Sequence, residues 1–173
     1  VAKALSEKIR DISTKRIRLM EICGTHTMAI FRHGIRSLLP ETIELVSGPG
    51  CPVCVTAMEE IDRAVKLART KGVIVTTFGD MIRVPGSESS LQKTQAEGAI
   101  VKMVYSTFDA LKIASENRES EVVFLGIGFE TTAPTVAAAI QTAHAGGNTN
   151  FSVLSAHKLL PPAMDALLSG GSS

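Results

Sequence analysis

The chain reads as an α/β protein, a doubly wound parallel sheet with helices on both faces. Three features predict it. Short apolar runs rich in β-branched residues alternate with longer segments of helical periodicity along the whole length. The run over residues 121–129 is apolar almost without interruption, the mark of a strand covered on both faces. Glycine or proline also stands at most of the changeovers, at Gly24, Pro40, Gly48-Pro49-Gly50, Gly72 and Gly146-Gly147.

Taken in order, residues 1–15 place Leu5, Ile9 and Ile12 on one face of a helix. Residues 16–23 carry Ile17, Leu19, Met20 and Ile22 and read as a strand ending at the turn Cys23-Gly24. Residues 25–39 read as a helix stopped by Pro40. A second strand over 42–47 runs into Gly48-Pro49-Gly50, and a helix over 56–70 sets Met58, Ile61, Val65, Leu67 and Ala68 along its inner stripe. Residues 73–78 form a third strand, and residues 79–90, with Pro85, Gly86 and three serines, a loop. A strand over 99–105, a helix over 107–117 and the buried strand over 121–129 follow. The helix over 132–145 has Pro134 near its start, where proline is tolerated. Residues 151–155 are a further strand, and Pro161 or Pro162 opens the last helix. A first residue that is not Met and a tail of Ser169-Gly170-Gly171-Ser172-Ser173 suggest a piece of a longer chain.

Composition narrows the function. Eighteen Lys and Arg against seventeen Asp and Glu leave a formal charge of +1, so no bulk field draws nucleic acid or an anionic membrane. Aromatic residues are 4% with no Trp, too few for a base-stacking platform. Residues 131–157 contain no Asp, Glu, Lys or Arg, but Pro134, Gly146-Gly147, Asn148 and Asn150 interrupt them, so no transmembrane span is expected. The first residues lack an apolar leader, which points to the reducing cytoplasm. Three cysteines, an odd number confined to the first third of the chain, do not form a disulfide scaffold.

Those thiols fall where ligands bind in open parallel sheets, outside the carboxyl ends of the strands. Cys23 closes the first strand, in Cys23-Gly24-Thr25-His26-Thr27. Cys51 and Cys54 close the second, in Gly48-Pro49-Gly50-Cys51-Pro52-Val53-Cys54. If the two strands are parallel neighbours, three sulfurs share one edge, where helix amino termini favour thiolate. The C-x-x-C spacing suits a disulfide or the chelation of one metal. Cys23 with His26 reads as a metal-ligand pair, as a nucleophile and base, or as a thiol beside a helix-start histidine. Asp80, in Thr77-Phe78-Gly79-Asp80, stands at the mouth of the third strand. Glu130 ends the buried strand and either serves the site or caps the next helix. His157 and Lys158 follow the strand over 151–155. Gly126-Ile127-Gly128 is a weak dinucleotide signal, since the third glycine is missing.

These motifs, with Thr77-Phe78-Gly79-Asp80-Met81-Ile82-Arg83-Val84-Pro85-Gly86-Ser87, Gly128-Phe129-Glu130-Thr131-Thr132-Ala133-Pro134 and His157-Lys158, occur in the order of the hydrogenase maturation factor family HypD. The chain resembles roughly the first half of a family member. The resemblance implies two similar α/β lobes, the first over residues 1–147 with the cysteine motifs and a truncated second beginning over 148–173. It implies a scaffold that assembles the Fe(CN)2CO group of nickel–iron hydrogenases, with Cys23 as the iron ligand and Cys51 and Cys54 as a thiol–disulfide couple. His26 and Thr27 become groups that orient Cys23 or hydrogen-bond the iron's ligands, and Glu130 and Asp80 supporting residues. Implied partners are a small HypC-type chaperone, a HypE-type cyanide donor and, indirectly, the hydrogenase large subunit. The family's 4Fe-4S cluster has no ligands here, because no cysteine follows Cys54. Two other readings of the same residues are a thiol–disulfide oxidoreductase using Cys51 and Cys54 alone, and a structural zinc site of Cys23, Cys51, Cys54 and His26.

Overall fold

Every strand of the computed structural model, which describes residues 2–170, pairs in parallel, and helices cover both sides of the β-structure. The expected α/β class is therefore present, but in two sheets. The chain divides into one unit of residues 1–51 and 163–173 and another of residues 52–162.

In the first unit, α1 (Ala2–Ile12) leads into β1 (Ile17–Glu21), then α2 (Gly24–Arg32), α3 (Ile35–Leu38) and β2 (Ile43–Ser47). β1 and β2 pair in register from Ile17↔Ile43 to Glu21↔Ser47. Ser6, the buried residue of α1, donates its hydroxyl to the carbonyl of Leu38. The hydroxyls of Ser13 and Thr42 meet at 2.6 Å and tie the helix exit to the start of β2. The single helix expected over 25–39 is two helices, because Gly34 takes a left-handed conformation (φ 60°) that an α-helix cannot continue through.

The second unit holds the closed core. It contains α4 (Pro52–Val55), α5 (Met58–Ala68), β3 (Val73–Thr77), α6 (Gly79–Ile82), α7 (Leu91–Ala96), β4 (Ile100–Met103), α8 (Thr107–Glu116), β5 (Glu121–Gly126), α9 (Ala133–Ala145) and β6 (Phe151–Ser155). Helix α10 (Leu160–Ser169) begins in it. The sheet order is β4-β3-β5-β6. Every buried apolar side chain among the described residues lies between Ile61 and Ala156. Val122 to Leu125 of β5 are buried, and Phe124 meets Phe78 edge-on at 5.4 Å between ring centroids. The inner stripe of α5 is Ile61, Ala64, Val65 and Ala68, as the helical spacing predicts, whereas Met58 is exposed.

Local chemistry explains where the elements begin. Ser106 and Asp109 form a reciprocal capping box on α8, with bonds of 3.1 and 2.9 Å. Ser90 accepts the amide of Lys93 and starts α7. Helix α9 ends at Gly146 and Gly147, the latter at φ 68°. The expected loop over 79–90 contains α6 and closes through a bridge between Pro85 and Ser90.

The strand over 151–155 pairs with β5 from Val122↔Phe151 to Gly126↔Ser155, and the two units divide at 51/52 and 162/163. The physical cause is the β5-α9-β6 unit: a crossover helix returns an apolar strand to the open edge of the sheet it left. Asn150 fixes the start of β6, its buried amide donating to the carbonyls of Ala114, Asn117 and Ser120 at 3.0, 3.1 and 2.9 Å.

Candidate functional site

The two turns that carry Cys23 and Cys51 are packed backbone against backbone. Because β1 and β2 are parallel neighbours, their carboxyl ends meet, and Gly48-Pro49-Gly50 lies alongside Glu21-Ile22-Cys23. The amide of Gly48 donates to the carbonyl of Glu21 at 2.6 Å, and that of Gly24 to the carbonyl of Gly50 at 3.1 Å. A Cβ on Gly50 would fall on the backbone nitrogen and Cα of Cys23 and 2.6 Å from the carbonyl carbon of Ile22. Only glycine allows this approach. A Cβ built on Gly24 would stand 4.0 Å from the Cβ of Cys51, so Cys51 starts beside the first turn of α2.

Cys23 is the N-cap residue of α2, with extended backbone (φ −152°, ψ 117°) and no hydrogen bond from its sulfur to the helix amides. It is half-buried. Thr27 folds back over it: the Thr27 amide donates to the Cys23 carbonyl at 3.0 Å, and its hydroxyl lies 3.3 Å from that carbonyl and 3.4 Å from a carboxylate oxygen of Glu21. His26 is exposed in the first turn. Cys51 is half-buried at the end of the first unit. Cys54 is exposed on α4 of the second unit. No disulfide joins the described cysteines. Among the described residues no three or more His, Cys, Asp or Glu side chains gather as a metal-binding group, so a preformed Cys3His set is not present.

The second unit gathers its own residues at the carboxyl ends of β3, β5 and β6. Asp80 is exposed in the first turn of α6. Glu130 does not cap the helix that follows it, whose N-cap is Thr132. Its Oε1 accepts the amide of Leu160 at 2.9 Å, at the start of α10. The segment after β6 is laid along the tail of β5 by Ala156 N–H to Gly126 O at 2.8 Å and Lys158 N–H to Gly128 O at 2.9 Å. A Cβ on Gly126 would press on Cε1 of His157 at 3.0 Å. Gly126 thus leaves room for the imidazole, while Gly128, at φ 139°, leaves room for the side chain of Thr132.

Nδ1 of His157 meets the hydroxyl of Ser155 at 3.0 Å, while Nε2 is closed from solvent without a partner. Burial holds its pKa below the ordinary value of 6.5. The unfolded chain then binds more protons than the folded one between the lowered pKa and 6.5, so folded stability rises with pH across that window. The contribution is complete above 6.5 and lost as the pH falls toward the folded value. Thermal midpoints measured between pH 5 and 8 should show this slope in the wild type, and His157→Gln should flatten it; an unchanged slope in the variant would refute the assignment.

Sequence reasoning passed over Asp62. Its carboxylate accepts both the hydroxyl (2.6 Å) and the amide (2.8 Å) of Ser87, and these bonds, the hydroxyl's first, hold its pKa below the usual carboxylate value. Asp62 looks from the sequence like any outward-facing helical carboxylate, and only the folded loop over 85–90 reveals its partner.

The fold and these sites define an α/β protein that presents cysteine thiols from strand-to-helix turns. Residues 1–173 match the family model HypD, described as the hydrogenase formation hypA family. The chain is 54% identical over 155 residues to the hydrogenase maturation factor HypD of Azotobacter vinelandii, covering 89% of the chain and 41% of that protein. It is 51% identical over 152 residues to the HypD factor of Escherichia coli, covering 88% and 41%. It is 46% identical over 173 residues to a putative hydrogenase expression/formation protein of Methanocaldococcus jannaschii, covering 99% and 48%. The chain belongs to the HypD family. It spans less than half the length of these curated relatives.

No helix among the described residues is long and apolar enough to cross a membrane.

Proposed function

We propose that this chain carries the iron-holding and thiol-redox portion of a hydrogenase maturation scaffold acting in the cytoplasm. The observation that carries the reading is the backbone-to-backbone clamp between the Cys23 and Cys51 turns, which Gly50 alone permits. Cys23 is the ligand proposed for the iron of an Fe(CN)2CO cargo. Cys23 is half-buried at the amino terminus of α2, and its sulfur is not spent on capping. Thiolate suits low-spin ferrous iron, and a single protein ligand leaves positions for cyanide, CO and a partner's sulfur. Thr27 and Glu21 hold the peptide of Cys23 in place, His26 stands exposed in the same helical turn, and Asp80 and Glu130 are supporting residues of the other unit.

Cys51 and Cys54 form the proposed redox couple. Reduction of their disulfide takes two electrons and two protons, and re-forming the S–S bond returns them toward the iron group. A 4Fe-4S cluster would feed this couple from the part of the relatives' length that lies beyond this chain, since three cysteines cannot hold one conventionally. A HypC-type chaperone and a HypE-type cyanide donor are the proposed partners, and the hydrogenase large subunit the recipient.

Infrared spectroscopy of the intact protein, purified anaerobically with its small partner, tests the assignment. Cyanide and CO stretching bands are expected in the wild type and should vanish in Cys23→Ala. Bands that survive that substitution would remove Cys23 as the ligand. Iron-free protein with full dithiol activity in Cys23→Ala and wild type alike would favour the oxidoreductase reading instead.

A further inference from the structure

Glu130 and Lys158 line one cavity of about 350 Å³ outside the carboxyl ends of β5 and β6. Yet neither forms an ion pair with the other, or with any other side chain, among the described residues. The rest of the wall is mostly apolar, with Phe129, Ala137 and Leu159 contributing, and His157 adds its imidazole. One oxygen of Glu130 takes the Leu160 amide, which fixes the carboxylate in place and leaves its other oxygen available. The closed, unpartnered Nε2 of His157 is a further hydrogen-bonding position not satisfied within the protein.

Opposite charges that share an apolar cavity without pairing set narrow requirements on a ligand. An anion alone would leave Glu130 unmatched and face its repulsion; a cation alone would do the same with Lys158. A purely apolar molecule would match neither the exposed carboxylate of Glu130 nor the half-buried ammonium of Lys158. The volume is at the lower end of ligand pockets, which limits the occupant to one small molecule. The position, outside the carboxyl ends of parallel strands, is where such sheets bind ligands.

We propose that this cavity binds a small zwitterion with an aliphatic body, an α-amino acid of the leucine type. Its ammonium meets Glu130, its carboxylate meets Lys158, and its side chain lies against Phe129, Ala137 and Leu159. Glu130 is also a supporting residue of the proposed iron function, but leucine binding is read directly and its outcome is separate from that of the Cys23 infrared bands.

L-Leucine is titrated into the intact protein and followed by the amide signals of Phe129, Ala137 and His157. Isocaproate, which lacks the ammonium, and isoamylamine, which lacks the carboxylate, are titrated in parallel. Leucine should bind about tenfold or more tightly than either analogue, one matched charge being worth at least that ratio. Lys158→Met should erase the advantage of leucine over isoamylamine. Ala137→Leu fills the cavity from an exposed helix position and should weaken leucine binding by about tenfold or more. Thermal midpoints near the wild-type value show that both variants are folded. No leucine-dependent shifts at millimolar concentration, equal affinity for all three compounds, or wild-type affinity in folded Ala137→Leu would each overturn the proposal.

Discussion

Gly50→Ala should destabilise the first unit by about 2–3 kcal/mol, the upper range for forcing an atom into a packed site. The added methyl meets backbone on three sides, the nitrogen and Cα of Cys23 and the carbonyl carbon of Ile22, and none of these can rotate away as a side-chain tip would. Relief requires the two turns to part, which stretches the Gly24 N–H to Gly50 O bond and shifts the N-cap of α2. Cys23 is then displaced as well, so the variant should lose stability and the alkylation rate of Cys23 should change together. Gly24→Ala is the control. Its Cβ would have no neighbour closer than 3.5 Å, an ordinary contact, and the change should stay within about 0.5 kcal/mol. Urea unfolding of both variants decides the matter. A Gly50→Ala protein as stable as the control would mean that the clamp between the turns is not tight.

Asn150→Asp should cost more, roughly 3–5 kcal/mol at neutral pH. The substitution keeps the shape and replaces a donor by an acceptor. The amide nitrogen now faces the carbonyls of Ala114, Asn117 and Ser120, and a carboxylate there would oppose three acceptors from a site only 7% exposed. Burial and these carbonyls both disfavour the charged form, so the new side chain should titrate above the ordinary Asp range. Stability should therefore recover in part as the pH is lowered through that raised value, the protonated acid regaining one donor. Asn150→Ala should cost about 1–2 kcal/mol and show no such recovery, since Ala114 and Asn117 each keep a backbone donor, from Asn117 and Ser120. Urea midpoints at pH 5 and pH 8 separate the two variants. An Asn150→Asp protein with the same midpoint at both would contradict the burial of a charge.

Much of this molecule is legible in the sequence because the signals are local. Short apolar runs and the period-3.6 pattern place the six strands among the described residues and most helices, and capping residues such as Ser106 with Asp109 act within one turn of chain. The positions of Cys23 and Cys51 at strand-to-helix turns follow from the same patterns. The break at Gly34 is less visible, since the apolar spacing of residues 25–39 continues across it and a glycine inside a helix is tolerated. Helices α6 and α7 are only four and six residues long, too short for periodicity to show.

The alternation of strands and helices, the glycines at the turns and the thiols beside them are all written in the chain itself, because each depends on residues a few positions apart. Which distant groups meet is settled by folding. Glu130 caps a helix thirty residues on rather than its own, Asp62 locks a loop twenty-five residues on, and the strand over 151–155 pairs with β5. Partners of this kind are selected by where the parallel sheet returns the chain, and hydrogen-bond donors and acceptors are too alike in sequence to announce which pair will close.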